Sequence, residues 1–255
     1  MQLHSKETGQ GTPLLLLHGL FGSSDNWYYL SQTFAVHYRV FAFDQRNHGQ
    51  SPHSPEMNYS LLADDLAEFM AAHNLSSAIV LGHSLGGKTA MQFALQYPAL
   101  VEKLIVADMA PRAYAPSHHK IFAALLALDL SAYPGRSQME ETLAADIPSL
   151  LLRRFLLKNL GRDQSGKFFW KINLPALAEN YARLREPIAS PTPYLKPTLF
   201  ICGGQSNYVT PADEPLIHQL FPNARIETIP EASHWLHADQ PGEFARHVLN
   251  FLAAP

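Results

Sequence analysis

Six short apolar runs, each closed by a turn signal, constrain this chain more than any other feature. They are LLLL (14–17), VFAF (40–43), AIVL (78–81), LIVAD (104–108), TLFIC (198–202) and IETI (226–229). Runs of this length without alternation suit strands buried on both faces of a mainly parallel sheet. Helical patterns separate many of them. Ser60 is expected to cap SLLADDLAEFMAAHN, where Leu62, Leu66, Phe69 and Met70 share one face and Asp64, Asp65 and Glu68 another. LGGKTAMQFALQ reads as a helix that Pro98 ends. Pro241 suits the first turn of a last helix whose Phe244, Val248, Phe251 and Leu252 form an apolar stripe. Such alternation specifies an α/β architecture, a mostly parallel central sheet flanked by helices.

The alternation breaks between about residues 110 and 196. That stretch offers only helical candidates: SHHKIFAALLAL, SQMEETLAAD, PSLLLRRFLLKN and PALAENYARLR, with prolines at both borders. It reads as an all-helical cap, residues 111–195, inserted between the two parts of one core, 1–110 and 196–255. In α/β sheets, ligands bind at the carboxyl edge, where such a cap would sit.

With 255 residues, 47% hydrophobic and 16% charged, the chain can bury a substantial core without staples. Its one cysteine, Cys202, excludes an internal disulfide framework and fits a reducing compartment. The first residues, MQLHSKETGQGTP, are too polar for a signal peptide, and no apolar run approaches the roughly 20 residues of a membrane span. A net charge of −3 argues against nucleic acid as a partner. The expectation is a soluble cytoplasmic protein acting on a small molecule, with its oligomeric state left open.

GHSLG at 82–86 matches G-x-S-x-G, and its context gives the match meaning. A strand runs into Gly82, offers His83 and Ser84, and resumes after Gly86 and Gly87 as a helix. That is the arrangement of a nucleophile elbow, which strains the serine backbone and so needs small neighbours. The helix amino terminus then aims free N–H groups at developing negative charge. A plain glycine-rich turn would show the same letters. Lys88 invites a nucleotide reading, but G-x-x-x-x-G-K-[ST] is absent.

LLLLHGLFGSSDNW (14–27) strengthens the hydrolytic reading. Acyl transfer needs two N–H donors aimed at an oxyanion. Leu85, just after Ser84, would supply one and Leu20 the other; His18 is expected to hold this loop rather than act as a base. In FAFDQRNHGQS (41–51), Asp44, Arg46, Gly49 and Ser51 stand at the spacing D-x-R-x-x-G-x-S. Asp44 could be an acid by type, but its place before the nucleophile favours a structural role.

Through HGLFG, D-x-R-x-x-G-x-S, GHSLGG and the late ASHW, nearly the whole chain resembles the α/β-hydrolase superfamily with a helical cap. VADMAP, DQRNHG and GGQSNYV are similar in style to bacterial esterases of the YbfF type and to related mitochondrial cap-domain hydrolases. The resemblance implies the α/β-hydrolase fold, a serine nucleophile and no cofactor or metal.

The general base is expected at His234, which follows the last strand in IPEASHWLHADQP, as the order Ser…Asp/Glu…His requires. His237 is a rival; as a metal pair with His234 it lacks further ligands. The superfamily commonly places an aspartate in a G-x-x-D turn after the strand TLFIC. Here that turn reads Gly203, Gly204, Gln205, Ser206, and Asp213 lies farther on. Asp108, closing the preceding strand, is the expected acid, since strands about 4.8 Å apart keep it within reach of the histidine. Ser206 would donate a hydrogen bond into the same pair.

The expected activity is hydrolysis of carboxylic esters, or of acyl thioesters such as acyl-coenzyme A, through an acyl-enzyme on Ser84. Phe21 and Trp235 are expected to flank the substrate pocket. Between 109 and 196 lie twelve Lys and Arg against seven Asp and Glu, in a chain whose totals are nineteen and twenty-two. Arg153 and Arg154 within that excess are expected at the pocket mouth, holding an anionic leaving group; a solvated helix face is the plainer account of the same residues. Two other classes use the same residues: a C–C hydrolase or lyase, and a slow-turnover ligand receptor.

Overall fold

The apolar runs become strands because both faces of the sheet they form are covered. The structure, a computed structural model, describes residues 1–254. The first part of the chain builds β1 (Ser5–Thr8), β2 (Thr12–Leu17), α1 (Tyr28–Phe34), β3 (Tyr38–Phe43), α2 (Tyr59–Ala72), β4 (Ala78–His83), α3 (Leu85–Gln96) and β5 (Val101–Ala107). An insertion follows, with α4 (His119–Ala127), α5 (Arg136–Thr142), α6 (Leu150–Leu157), β6 (Leu160–Arg162), β7 (Phe168–Trp170) and α7 (Leu174–Leu184). The chain then returns as β8 (Thr198–Gly203), α8 (Glu214–Leu220), β9 (Ala224–Ile229), α9 (Leu236–Asp239) and α10 (Pro241–Ala253).

Seven strands lie in the order β1-β3-β2-β4-β5-β8-β9, parallel throughout except where β1 meets β3. Alternate residues feed two cores. Leu15, Leu17, Val80, Leu104 and Val106 pack with α2 and α3, while Leu14, Leu16, Ile79, Leu81 and Ile105 pack with α1 and α10. Each such buried leucine or isoleucine contributes roughly 1.5–3 kcal/mol relative to exposure. From β2 the chain passes outward to β3 and then returns to the other side as β4. The strand order therefore reverses between β2 and β4, which opens a crevice at their carboxyl ends.

Four local features differ from the sequence reading. β1 is the polar stretch SKET, which shows no apolar run because an edge strand pairs only with β3. The cap of α2 is Asn58, whose side chain accepts from Leu61 N–H; Ser60 lies inside the first turn and donates to Gln96 instead. Asp65 leaves the polar face of α2 and is buried, with both carboxylate oxygens taken by Arg46 at 2.7 and 2.8 Å. Helical periodicity is blind to that partner, because it comes from another segment.

The fourth concerns the insertion, which is not all helical: β6 and β7 form an antiparallel hairpin. Asp163 Oδ1 accepts the N–H groups of Ser165 and Lys167, and Gly166 takes a left-handed φ of 80° to close the turn. Three residues per strand are too few for a period-two pattern to register.

The insertion is fastened over the crevice. Asn159 Nδ2 donates to Phe21 O at 2.8 Å, Tyr59 Oη to Leu184 O at 2.8 Å, and Asn180 Nδ2 to Pro55 O at 2.8 Å. Lys88, one helical turn after Ser84, is buried under the rings of Tyr59 and Tyr114 and donates to Glu186 O. Burial lowers its pKa to about 7. No helix among the described residues is long and apolar enough to cross a membrane.

Candidate active site

Ser84 stands between β4 and α3 with φ 54° and ψ −115°, a left-handed region that costs a non-glycine residue about 1–3 kcal/mol. Neighbouring glycines make this turn possible. A Cβ on Gly82 would lie 2.0 Å from Gly86 O, and one on Gly86 would lie 2.3 Å from Leu17 O. Ser84 N–H donates to Ala107 O at 3.2 Å, which ties the turn to β5. The hydroxyl makes no capping bond to α3 and is left for other partners.

Two N–H groups beside it donate to no protein acceptor among the described residues, those of Leu85 and Leu20. Leu85 opens α3, where no carbonyl one turn earlier is available. Leu20 lies in the turn closed by Gly22 N–H on Gly19 O at 2.9 Å. Phe21, also left-handed at φ 63°, is held from both sides: its N–H donates to His48 Nε2 at 3.2 Å, and its carbonyl accepts from Asn159. Its ring is buried against Phe122 of α4, with centroids 5.0 Å apart.

Beneath this loop lie neutral imidazoles. His18 Nδ1–H donates to Gly19 O at 2.7 Å while its Nε2 accepts from Gln45 N–H at 3.0 Å. His48 Nδ1–H donates to Arg46 O at 2.9 Å. Burial lowers the pKa of both, that of His48 to about 3. His18 thus holds the loop. Asp44 does likewise, accepting from Ser24 N–H at 2.7 Å and Gln50 N–H at 2.9 Å. Burial works to raise its pKa, but these bonds outweigh it and keep the carboxyl below its ordinary range.

Asp108, His234 and Ser206 come together. Asp108 leaves β5 with a left-handed φ of 48°, fixed by its N–H on Ile201 O at 2.8 Å. Its Oδ1 accepts from Gly203 N–H at 3.0 Å. Its Oδ2 lies 2.6 Å from His234 Nδ1 and also accepts from the Ser206 hydroxyl. The carboxylate is wholly buried, whereas the imidazole keeps 18% exposure. With its proton on Nδ1 toward Asp108, His234 presents Nε2 as a lone pair, the form a general base requires. No hydrogen bond joins Ser84 Oγ to His234 among the described residues; such contacts commonly tighten only when substrate is bound. Asp213 is elsewhere, paired with Arg112 at 2.9 Å.

Several residues escaped the sequence reading. Tyr208 stacks on His234, with centroids 3.6 Å apart and planes 15° apart, and its N–H donates to Ser206 Oγ at 3.2 Å. His83, between Gly82 and Ser84, donates from Nε2 to the His234 carbonyl at 2.8 Å. A histidine inside G-x-S-x-G was the available signal; the stacking of Tyr208 leaves none. His237 is no rival base: its half-buried ring is packed between Trp27 at 4.9 Å and His83 at 4.4 Å, and desolvation lowers its pKa to about 4. No cluster of three or more potential metal ligands occurs among the described residues.

Trp235 meets Phe155 of α6 edge-on at 4.5 Å, so the insertion touches the residue beside His234. Arg153 and Arg154 are not brought to this group. Arg153 donates to Ile147 O and Pro148 O at 2.7 and 2.8 Å. Arg154 pairs with Glu140 at 3.2 Å on a largely exposed face. The helix turns Phe155 toward the site and spends both guanidinium groups on the insertion itself.

Known proteins resemble this chain along most of its length. A profile of the alpha/beta hydrolase fold matches residues 12–241. The sn-1-specific diacylglycerol lipase ABHD11 of Mus musculus is 39% identical over 248 residues, covering 94% of this chain and 80% of that one. Esterase YbfF of Escherichia coli is 34% identical over 242 residues, covering 94% and 93%. A solved structure described as a marine microorganism esterase superposes with a TM-score of 0.95 at 43% identity, covering 98% of this chain and 99% of that one.

Proposed function

The chain belongs to the alpha/beta hydrolase family as an esterase/lipase-type carboxylic-ester hydrolase, and from that premise we propose that Ser84 is its nucleophile, His234 its general base and Asp108 the acid. The buried Asp108–His234 contact at 2.6 Å carries this reading. His234 Nε2 takes the Ser84 proton as Oγ attacks the ester carbonyl. The oxyanion is met by the N–H groups of Leu20 and Leu85. The alcohol leaves with the proton from His234, and water activated by the same imidazole releases the acid. Asp108 fixes the tautomer and stabilises the imidazolium. Ser206, as a third donor to the Asp108 carboxylate, holds it in place.

Residues 111–195 act as the cap in this reading, closing the pocket through Phe155 on Trp235 and Phe122 on Phe21. Its lining there is apolar, which suits the acyl part of an ester or a lipid. A lipid ester is in keeping with the diacylglycerol lipase among the relatives. An anionic thioester has weaker support, because Arg153 and Arg154 are already engaged by Ile147, Pro148 and Glu140.

Ser84→Ala tests the assignment. Hydrolysis of a nitrophenyl ester should fall below a hundredth of wild type while the circular dichroism and melting temperature hold. Activity at a tenth of wild type or more would refute the nucleophile.

A further inference from the structure

One polar pair of the insertion, beside Phe21, has no part in the reaction just described. His118 stands at the amino end of α4, with Nδ1 2.7 Å from Tyr181 Oη. That phenol oxygen also lies 3.1 Å from Ser117 N and 3.2 Å from His118 N, and accepts from both. A tyrosine hydroxyl has two lone pairs and one proton. Both lone pairs are taken, so the proton is directed to His118 Nδ1, much nearer than Ser117 Oγ at 3.5 Å. Nδ1 is therefore an acceptor, and the Ser117 hydroxyl, 3.0 Å from the same nitrogen, can join Tyr181 only as a second donor to it. A neutral imidazole that accepts at Nδ1 carries its hydrogen on Nε2. Burial, with further lowering by His234 and His119, brings the His118 pKa to about 4, so this tautomer persists at neutral pH.

Among the described residues, His118 Nε2–H donates to no protein group, and it is not sealed from solvent. Its ring lies 6.2 Å from that of Phe21, the residue after Leu20. Its charged form would also be repelled by that of His234. The guanidinium groups around this pair are engaged elsewhere: Arg185, 5.5 Å over the Tyr181 ring, donates to Tyr114 O at 2.9 Å, and Arg112, 4.1 Å over the Tyr114 ring, is held by Asp213 at 2.9 Å.

We propose that His118 is a specificity-determining residue, whose Nε2–H binds a second, uncharged acceptor oxygen of the substrate, a hydroxyl, ether or keto group near the scissile ester. This rests on the Ser84 reading. The pocket would then prefer oxygenated neutral esters over hydrocarbon ones of the same size. A neutral hydrogen bond of this kind is worth about 3- to 10-fold in kcat/KM.

The test compares matched pairs: 4-nitrophenyl methoxyacetate with 4-nitrophenyl butanoate for the acyl side, and 2-hydroxyethyl butanoate with propyl butanoate for the alcohol side. The quantity read is the kcat/KM ratio within each pair, wild type against variant, so that intrinsic reactivity cancels. In at least one pair the ratio should fall about 3- to 10-fold in His118→Leu. Tyr181→Phe, which removes the nearer of the two hydroxyls facing Nδ1 and loosens the tautomer, should lower the same ratio, and His118→Gln, which keeps an N–H donor, should retain part of it. Ratios unchanged in His118→Leu for both pairs would overturn the proposal. Fluorophosphonate labelling of Ser84 in every variant keeps that failure distinct from a failure of the nucleophile assignment.

Discussion

The carboxyl edge of the sheet and the outer face of the insertion both gather charged side chains, and they hold them in opposite ways. At the edge, Asp108 has no exposure and accepts from Gly203 N–H, Ser206 and His234. Nearby, Arg46 and Asp65 are both buried, and the guanidinium also donates to Glu56 O and Leu61 O. On the insertion, Arg154 meets Glu140 through one nitrogen with 63% of its side chain exposed. Arg153, half-buried, stands between the two cases and donates only to carbonyls of its own chain segment. Desolvation makes the difference. A charge taken out of water must be matched by several fixed partners, so its geometry is set and its loss is costly. A charge left in water needs no partner and fixes nothing.

That contrast can be broken at several points. The largest effect is expected at Asp108→Asn, which should lower kcat by about 10⁴-fold by favouring the wrong imidazole tautomer. Ser206→Ala removes one of three donors to the same carboxylate and should cost about 10- to 100-fold; steady-state kinetics on one ester reads both. If Asp213→Asn proved more damaging than Asp108→Asn, the acid would have been misplaced.

Stability gives the next step down. Asp65→Ala strands the buried Arg46 charge and should reduce unfolding free energy by about 3–5 kcal/mol, against about 0–1 kcal/mol for Arg154→Ala. Urea titrations of the two variants measure the gap, and equal losses would erase the distinction between edge and insertion. The smallest effect belongs to the double variant Arg153→Ala with Arg154→Ala. It should change kcat/KM for a neutral ester and for an acyl-coenzyme A by less than about twofold at physiological salt, where exposed charges are screened over about 8 Å. A loss confined to the thioester, and relieved by salt in the wild type, would return these arginines to the pocket mouth.

The same contrast explains what could be read from the sequence. The turn at Ser84 is legible because steric closeness at Gly82 and Gly86 dictates residue types over five positions. Asp108 is legible because β5 lies between β4 and β8, so the ends of neighbouring strands converge on it. Charge counting could not orient Arg153 and Arg154, since composition says how many cations a helix bears and not which way each turns. Tyr208 was silent for another reason: its stack on His234 joins two loops and leaves no periodic mark. The β6–β7 hairpin and strand β1 were lost because very short or singly paired strands need no apolar run.

The neutral imidazoles packed under the site also set how this protein meets acid. Burial holds His18, His48, His83 and His237 below the ordinary value of 6.5, to about 3 for His48 and about 4 for His237. Above pH 6.5 they are uncharged in both folded and unfolded chains, and stability carries no penalty from them. Below it the unfolded chain binds protons that the native one refuses. Each such histidine then removes about 1.4 kcal/mol of stability per pH unit until its own folded pKa is reached. Unfolding in mild acid therefore consumes protons, and the melting temperature should fall steadily from pH 6.5 to pH 4.5. The imidazoles that shape the loop around Leu20 thus make proton uptake a driving force for its undoing.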